Sequence, residues 1–123
     1  MCKLLLSINP EYVEKIFAGD KKYEFRKSQC KRPIDGIIIY CTSPVMKVVG
    51  EVSVKRVLVN DPKEMWQEVK DAAGVTREFF DGYYHGRKNA VAFQLGDIER
   101  YAFPKELEEF GVSHAPQSFV YLE

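Results

Sequence analysis

The sequence predicts an α+β fold. Three observations carry this. Strand-like runs outnumber helical ones, they do not alternate regularly with helices, and one well-punctuated helix follows the first strand. A regular strand–helix alternation would point to a doubly wound parallel sheet, and that pattern is missing. The best architecture is a small, mixed or antiparallel β-barrel with helices packed around it. The 123 residues suit one domain, 1–123, and no low-complexity linker or internal repeat divides them.

The elements follow in order. Lys3–Ile8 is a short apolar strand. Asn9 is a good helix N-cap and Pro10 fits the first helical position, where its missing N–H costs nothing. Tyr12, Val13, Ile16 and Phe17 recur at helical spacing, and Gly19 ends the helix as a left-handed cap, so the spacing predicts a helix over Pro10–Ala18. Lys22–Lys27 alternates: Tyr23 and Phe25 point one way, Lys22, Glu24 and Arg26 the other. Ile37–Cys41 is a continuous apolar run, as expected of a central strand buried on both sides. Thr42-Ser43-Pro44 breaks it. Val48–Asn60 is long and β-branched, with Gly50 as a bulge or bend. Asp61 caps a second helix, with Pro62 first and Glu64 at the capping-box position. Gly74 stops it. Thr76 caps a short third helix reaching about Tyr84. Asn89–Tyr101 is strand, Lys105–Phe110 a helical turn, and Phe119–Leu122 a last strand.

Composition narrows the function classes. Hydrophobic residues make up 46 % and aromatic ones 13 %, enough for a core without metal or disulfide staples. No run of about 18 apolar residues occurs, so no membrane span is expected, and the first apolar run is too short for a secretory leader. Cys2, Cys30 and Cys41 are an odd, widely spaced set, which argues against a disulfide framework and a zinc site. His85 and His114 are isolated. The expected compartment is therefore the cytoplasm, and no metal or cofactor is expected. Cys41 and Cys2 read as core. Cys30 sits among basic residues, where a lowered thiol pKa is expected.

Net charge is zero, yet it is unevenly spread. Residues 1–56 hold 11 basic and 6 acidic residues, and residues 57–123 hold 7 and 12. The window Lys21–Arg32 sets six cations against Glu24 alone. This is either a localised anion-binding face or an edge strand guarded by lysines.

The densest constellation is Gly19-Asp20-Lys21-Lys22-Tyr23-Glu24-Phe25-Arg26. Glu24 and Arg26 lie two apart on one strand face, about 7 Å along it, close enough to line one hollow. Arg offers a planar five-donor fork for phosphate or a base edge, Glu can receive an exocyclic amino group, and Lys supplies a point charge. This mixture suits a nucleotide better than a bare metal ion. Thr42 and Ser43 carry hydroxyls at the end of a buried strand, and either serve the turn or face the same hollow. Gln117 and Ser118 flank the last strand, where a Gln can meet a base edge. Ser7 and Asn9 complete the candidate set. Tyr83-Tyr84-His85-Gly86-Arg87-Lys88 places aromatics beside cations, a pairing suited to stacking on unpaired bases, although one of the tyrosines is expected to pack on the core.

The run G-x-K-x-x-E-x-R after a helix resembles the signature of the ASCH domain family, a relative of the PUA fold. Asn9-Pro10-Glu11-Tyr12, Ile39–Pro44, Val49-Gly50-Glu51 and Pro116-Gln117-Ser118-Phe119 resemble further stretches typical of that family, so the likeness spans nearly the whole chain. It implies a PUA-like barrel with surrounding helices and RNA binding in a cleft between barrel and first helix. It also implies a role beside translation, RNA modification or transcription coactivation, with a possible protein partner. Gly19, Lys21, Glu24 and Arg26 match the signature position by position. One branch of ASCH-like proteins deacetylates N4-acetylcytidine with a Lys, a Thr nucleophile and a Glu. Lys21 would match its lysine, but Glu24 stands where its threonine would be, and a carboxylate there could act only as a general base for water. Weak ribonuclease activity is also associated with the family, and no pair of histidines supports it here.

Overall fold

The structure is a computed structural model and describes residues 2–123. Its elements are β1 (Cys2–Ile8), α1 (Pro10–Ala18), β2 (Tyr23–Arg26), β3 (Ile34–Cys41), β4 (Lys47–Asn60), α2 (Pro62–Val69), α3 (Arg77–Tyr83), β5 (Ala90–Lys105) and β6 (Phe119–Leu122). Short 3-10 turns lie at Lys70–Ala72 and Leu107–Phe110. The six strands form one mixed sheet in the order β2-β5-β4-β3-β1-β6. Only β1 and β3 run parallel; the other neighbours are antiparallel. The α+β, PUA-like reading therefore stands.

Main-chain pairing leaves β2 and β6 as edges, so backbone hydrogen bonds do not close the expected barrel. The sheet is nevertheless strongly curled. In a flat sheet β2 and β1 would stand about 19 Å apart, four strand spacings. Yet the Arg26 guanidinium on β2 donates to the Ser7 carbonyl on β1 at 3.0 Å. A side chain closes the gap that the ladder leaves open.

The central strands are buried on both sides, as the continuous apolar runs require. Leu4, Leu6 and Ile8 of β1 and Ile37, Ile39 and Cys41 of β3 pack with Val13 and Ile16 of α1. The alternate residues Leu5, Ile38 and Tyr40 face a second cluster with Val48, Leu107 and Phe110. A third cluster joins Met65, Trp66 and Val69 of α2 to Phe80, Tyr84, Phe25 and Ala92. Burying a side chain of this size contributes about 1.5–3 kcal/mol, so α2 and α3 are held chiefly by their apolar faces.

Local signals act as their chemistry dictates. Asp61 accepts from the Glu64 amide at 3.0 Å and Thr76 from the Phe79 amide at 3.1 Å. Asn9 is the exception: it precedes α1, but its side chain makes no capping bond and instead accepts from Thr42 Oγ1 at 3.1 Å. Gly50 marks slips in the pairing of β4 with both neighbours. A Cβ there would collide with the Glu99 carbonyl and the Phe17 ring, so no side chain fits.

Candidate functional site

The site begins where α1 stops. Gly19 turns the chain with φ +84°, a conformation that side-chain-bearing residues rarely adopt. The amides of Asp20 and Lys21 then return to the Lys15 carbonyl at 2.9 and 3.1 Å. This tight exit turns the Lys21 side chain inward, where it is 2 % exposed.

Three consecutive carbonyls after α2 are captured by three lysines of this segment. Ala72 accepts from the Lys22 amide at 2.9 Å, Ala73 from Lys21 Nζ at 3.0 Å, and Gly74 from Lys15 Nζ at 3.1 Å. Positive groups against a row of free carbonyls are favourable for the same reason that cations suit helix C-termini. A Cβ on Gly74 would run into the Lys21 stem, so the lysine and the glycine need each other. The exit of α1 and the approach to α3 thus form one stitched unit.

Glu24, on the edge strand β2, is also buried. Its Oε2 accepts from Arg26 Nε at 3.2 Å and from Arg26 Nη2 at 2.9 Å. Its Oε1 lies 4.0 Å from Lys21 Nζ and takes no hydrogen bond from the described residues. Arg26 therefore occupies one carboxylate oxygen, and the other remains an acceptor. Lys21 lies 4.6 Å from the centroid of the Phe25 ring and 5.6 Å from that of Tyr12. Burial pushes its ammonium down to about 8, against the pull of Glu24; the charges of Lys15 and Arg26 lower it further.

These groups face a cleft of about 180 Å³. Ser7, Asn9, Lys21, Glu24 and Arg26 give it a polar side, and Tyr12, Phe25, Phe79, Phe80 and Tyr83 an aromatic one. A small hollow with an apolar wall and a few convergent polar groups is the usual form of a ligand site. It can hold a flat ring against the aromatic wall while the carboxylate accepts a proton and the ammonium donates one.

The predicted residues separate into three groups. Lys21, Glu24, Arg26, Ser7 and Asn9 converge on the cleft. Gly19 shapes the turn without lining it. Lys22 is exposed and precedes β2; its main chain bonds Ala72 and Leu95, and it does not line the cleft. Thr42 does not line the cleft and touches it through Asn9 and the Ile8 carbonyl. Ser43 lies exposed in the turn between β3 and β4. Gln117 and Ser118 are exposed beside the segment whose Pro116 carbonyl accepts from Ser7 Oγ at 2.8 Å. Cys30 differs from its expectation: burial pushes its thiol up and outweighs the lowering effect of a backbone hydrogen bond. Among the described residues, no cluster of three or more His, Cys, Asp or Glu could hold a metal.

Of the aromatic wall the sequence pointed only to Tyr83; Tyr12, Phe25, Phe79 and Phe80 were missed as cleft residues. The wall's signal was present in α3, where Phe79 and Tyr83 are four apart and Phe80 and Tyr84 form a parallel stripe. Phe80 and Tyr84 are buried, while Phe79 and Tyr83 border the cleft. The Tyr84 hydroxyl donates toward the carbonyls of Arg26 (2.9 Å) and Val91 (3.0 Å), fixing β2 from behind.

A curled mixed sheet whose first helix exits into a lysine-floored cleft defines a small α+β domain of PUA-like type. The ASCH domain family profile matches residues 6–110, and the chain belongs to that family. A solved structure of ASCH from Zymomonas mobilis superposes with a TM-score of 0.88 at 26 % identity, covering 98 % of this chain and 87 % of that one. The ASCH domain-containing ribonuclease of Zymomonas mobilis is 29 % identical over 94 residues, 76 % of this chain and 64 % of that protein. A chain of Ureaplasma parvum named ATP synthase subunit alpha is 30 % identical over 121 residues, 98 % of this chain. This chain spans only 15 % of the length of that protein.

Proposed function

We propose that this domain binds RNA, with one nucleotide seated in the cleft between α1 and β2. The observation that carries the reading is the pairing of a buried ammonium with an unclaimed carboxylate oxygen, Lys21 and Glu24, against a wall of aromatic rings. A donor and an acceptor side by side match the edge of a nucleobase, and the rings match its face. The name of the Zymomonas mobilis relative, a ribonuclease, supports RNA as the ligand. The cytoplasm is the proposed compartment, and a protein partner of the kind found in coactivator complexes is compatible with the acidic second half of the chain.

The test is binding of single-stranded RNA by the full chain, read by fluorescence anisotropy. Affinity falls as salt rises, because phosphate contacts release counterions. Arg26→Ala and Lys21→Ala each weaken binding by at least about 1 kcal/mol. Full affinity in both variants would remove the cleft from consideration.

A second reading is hydrolysis in the same cleft, on RNA or on a modified nucleoside, with Glu24 as base for water. The observation favouring it is a lysine that titrates at about 8, near working pH. With Glu24 as base, Lys21 acts as a cationic stabiliser of the developing negative charge, so both binding and hydrolysis fall as pH climbs through 8. Product formation followed by mass spectrometry, lost in Glu24→Gln, would favour hydrolysis over binding alone.

A further inference from the structure

The rim of the cleft carries a surface that a free nucleoside does not need. Phe79 is 48 % exposed, at the mouth of the cleft. It stacks on Tyr83, one helical turn away, with centroids 6.1 Å apart and ring planes 12° from parallel. Tyr12 of α1 meets Phe79 from the other side at 5.8 Å and 53°. The three rings form a strip that starts in the cleft and continues over its edge.

The ends of this strip differ in which charges are free. At the Tyr12 end stand Glu11 and two tethered cations, Lys15 at 5.8 Å and Lys21 at 5.6 Å from the ring centroid, bonded to the Gly74 and Ala73 carbonyls. At the Tyr83 end Lys27 Nζ lies 4.8 Å over the ring, and exposed Arg87 follows α3 with its amide tied to the Tyr84 carbonyl at 2.9 Å. The outward charges of α3 are Arg77 and Asp81, paired at 3.5 Å, and Glu78. The two cations at the first end are tethered, whereas Lys27 makes no hydrogen bond or ion pair among the described residues and is the cation free to meet a phosphate.

We propose that the domain takes a segment of single-stranded RNA, with one base in the cleft, the adjoining base stacked on Phe79, and the phosphate beside that platform held by Lys27 and Arg87. This rests on the reading of the cleft as a nucleotide site and adds a second base position and a polymer requirement. An aromatic face accepts any base, so the platform supplies affinity and length dependence without base identity.

The experiment compares the four ribonucleoside monophosphates with a mixed-sequence RNA hexamer and the DNA hexamer of the same sequence, all titrated into the full chain. The RNA hexamer binds at least tenfold more tightly than any monophosphate. Phe79→Leu, a change at a half-exposed position that circular dichroism should show to be folded, reduces that ratio about tenfold. The double variant Lys27→Ala/Arg87→Ala lowers the salt dependence of hexamer binding by about two phosphates. A ratio and a salt slope that stay at their original values, with monophosphates still bound, overturn the platform and leave the cleft standing. If neither monophosphates nor hexamer bind, both readings fall. Equal affinity for the DNA hexamer overturns the assignment to RNA.

Discussion

Two lysine–carboxylate pairs in this molecule share one chemistry and behave in opposite ways. In the cleft, Lys21 and Glu24 are 4.0 Å apart, with side chains 1 % and 9 % exposed. In the open groove bounded by Tyr101, Lys105 and Phe110, Lys3 and Glu51 are 2.6 Å apart, with side chains 41 % and 26 % exposed. The hydrogen bond to Glu51 raises the Lys3 ammonium above its ordinary value, and the same bond holds the Glu51 carboxyl down. Burial lowers Lys21 instead and outweighs the pull of Glu24, which stands 4.0 Å away without a hydrogen bond. A nearby acid therefore does not by itself decide a lysine's charge. Solvent access and a direct hydrogen bond do.

The sharpest way to break this contrast is to remove the carboxylates. Glu24→Gln leaves two cations facing each other in a half-enclosed space, and should cost about 3 kcal/mol of stability, measured by urea unfolding. A loss below about 1 kcal/mol would mean that the Lys21 site is wetter than its geometry implies. The next effect in size is a pH dependence. The folded value of Lys21, about 8, lies below the 10.5 of the unfolded chain, so between these limits the unfolded state binds more protons. Stability attributable to Lys21 therefore rises as pH climbs from 8 toward 10.5, and is depressed below 8. Compared with Lys21→Met, the native sequence should gain about 2 kcal/mol between pH 7 and pH 10. A constant difference across that range would contradict the burial. Glu51→Gln should produce the smallest change, under about 1 kcal/mol, because its partner is well solvated. NMR titration of the two lysines sharpens the comparison directly: Lys21 should titrate near 8, and Lys3 should move down toward its ordinary value only in Glu51→Gln.

Much of the fold was readable because local chemistry and tertiary structure agree. Pro10 and Gly19 bracket α1 at the residues expected, and the unbroken run Ile37–Cys41 is a strand covered on both faces. The disagreement at Asn9 is tertiary: Thr42 offers its side chain a partner that replaces the cap. Lys21 and Glu24 were legible as a pair, but their burial was not. Charged residues in an exit turn ordinarily face water, and only the carbonyls of a segment 52 residues away draw Lys21 inward. The aromatic wall was hidden for a related reason. Tyr83 and Tyr84 were legible as a stacking pair of which one packs on the core, but that Phe79 joins Tyr83 at the cleft shows only once Phe80 and Tyr84 are seen buried in the α2–α3 cluster. The closure of the sheet by Arg26 has no local signature, since it joins residues from β1 and β2 across the curl.

A count of protons on one nitrogen connects the cleft to its surroundings. A protonated lysine has three N–H bonds, and Lys21 spends one on Ala73. Two are left for Glu24 and for whatever enters, so an arriving acceptor can be received with the tether to the α2–α3 connection intact. The neutral amine has only two. Above pH 8 the same arrival must compete for a single remaining donor, or draw the nitrogen away from Ala73 and slacken the segment that carries Phe79.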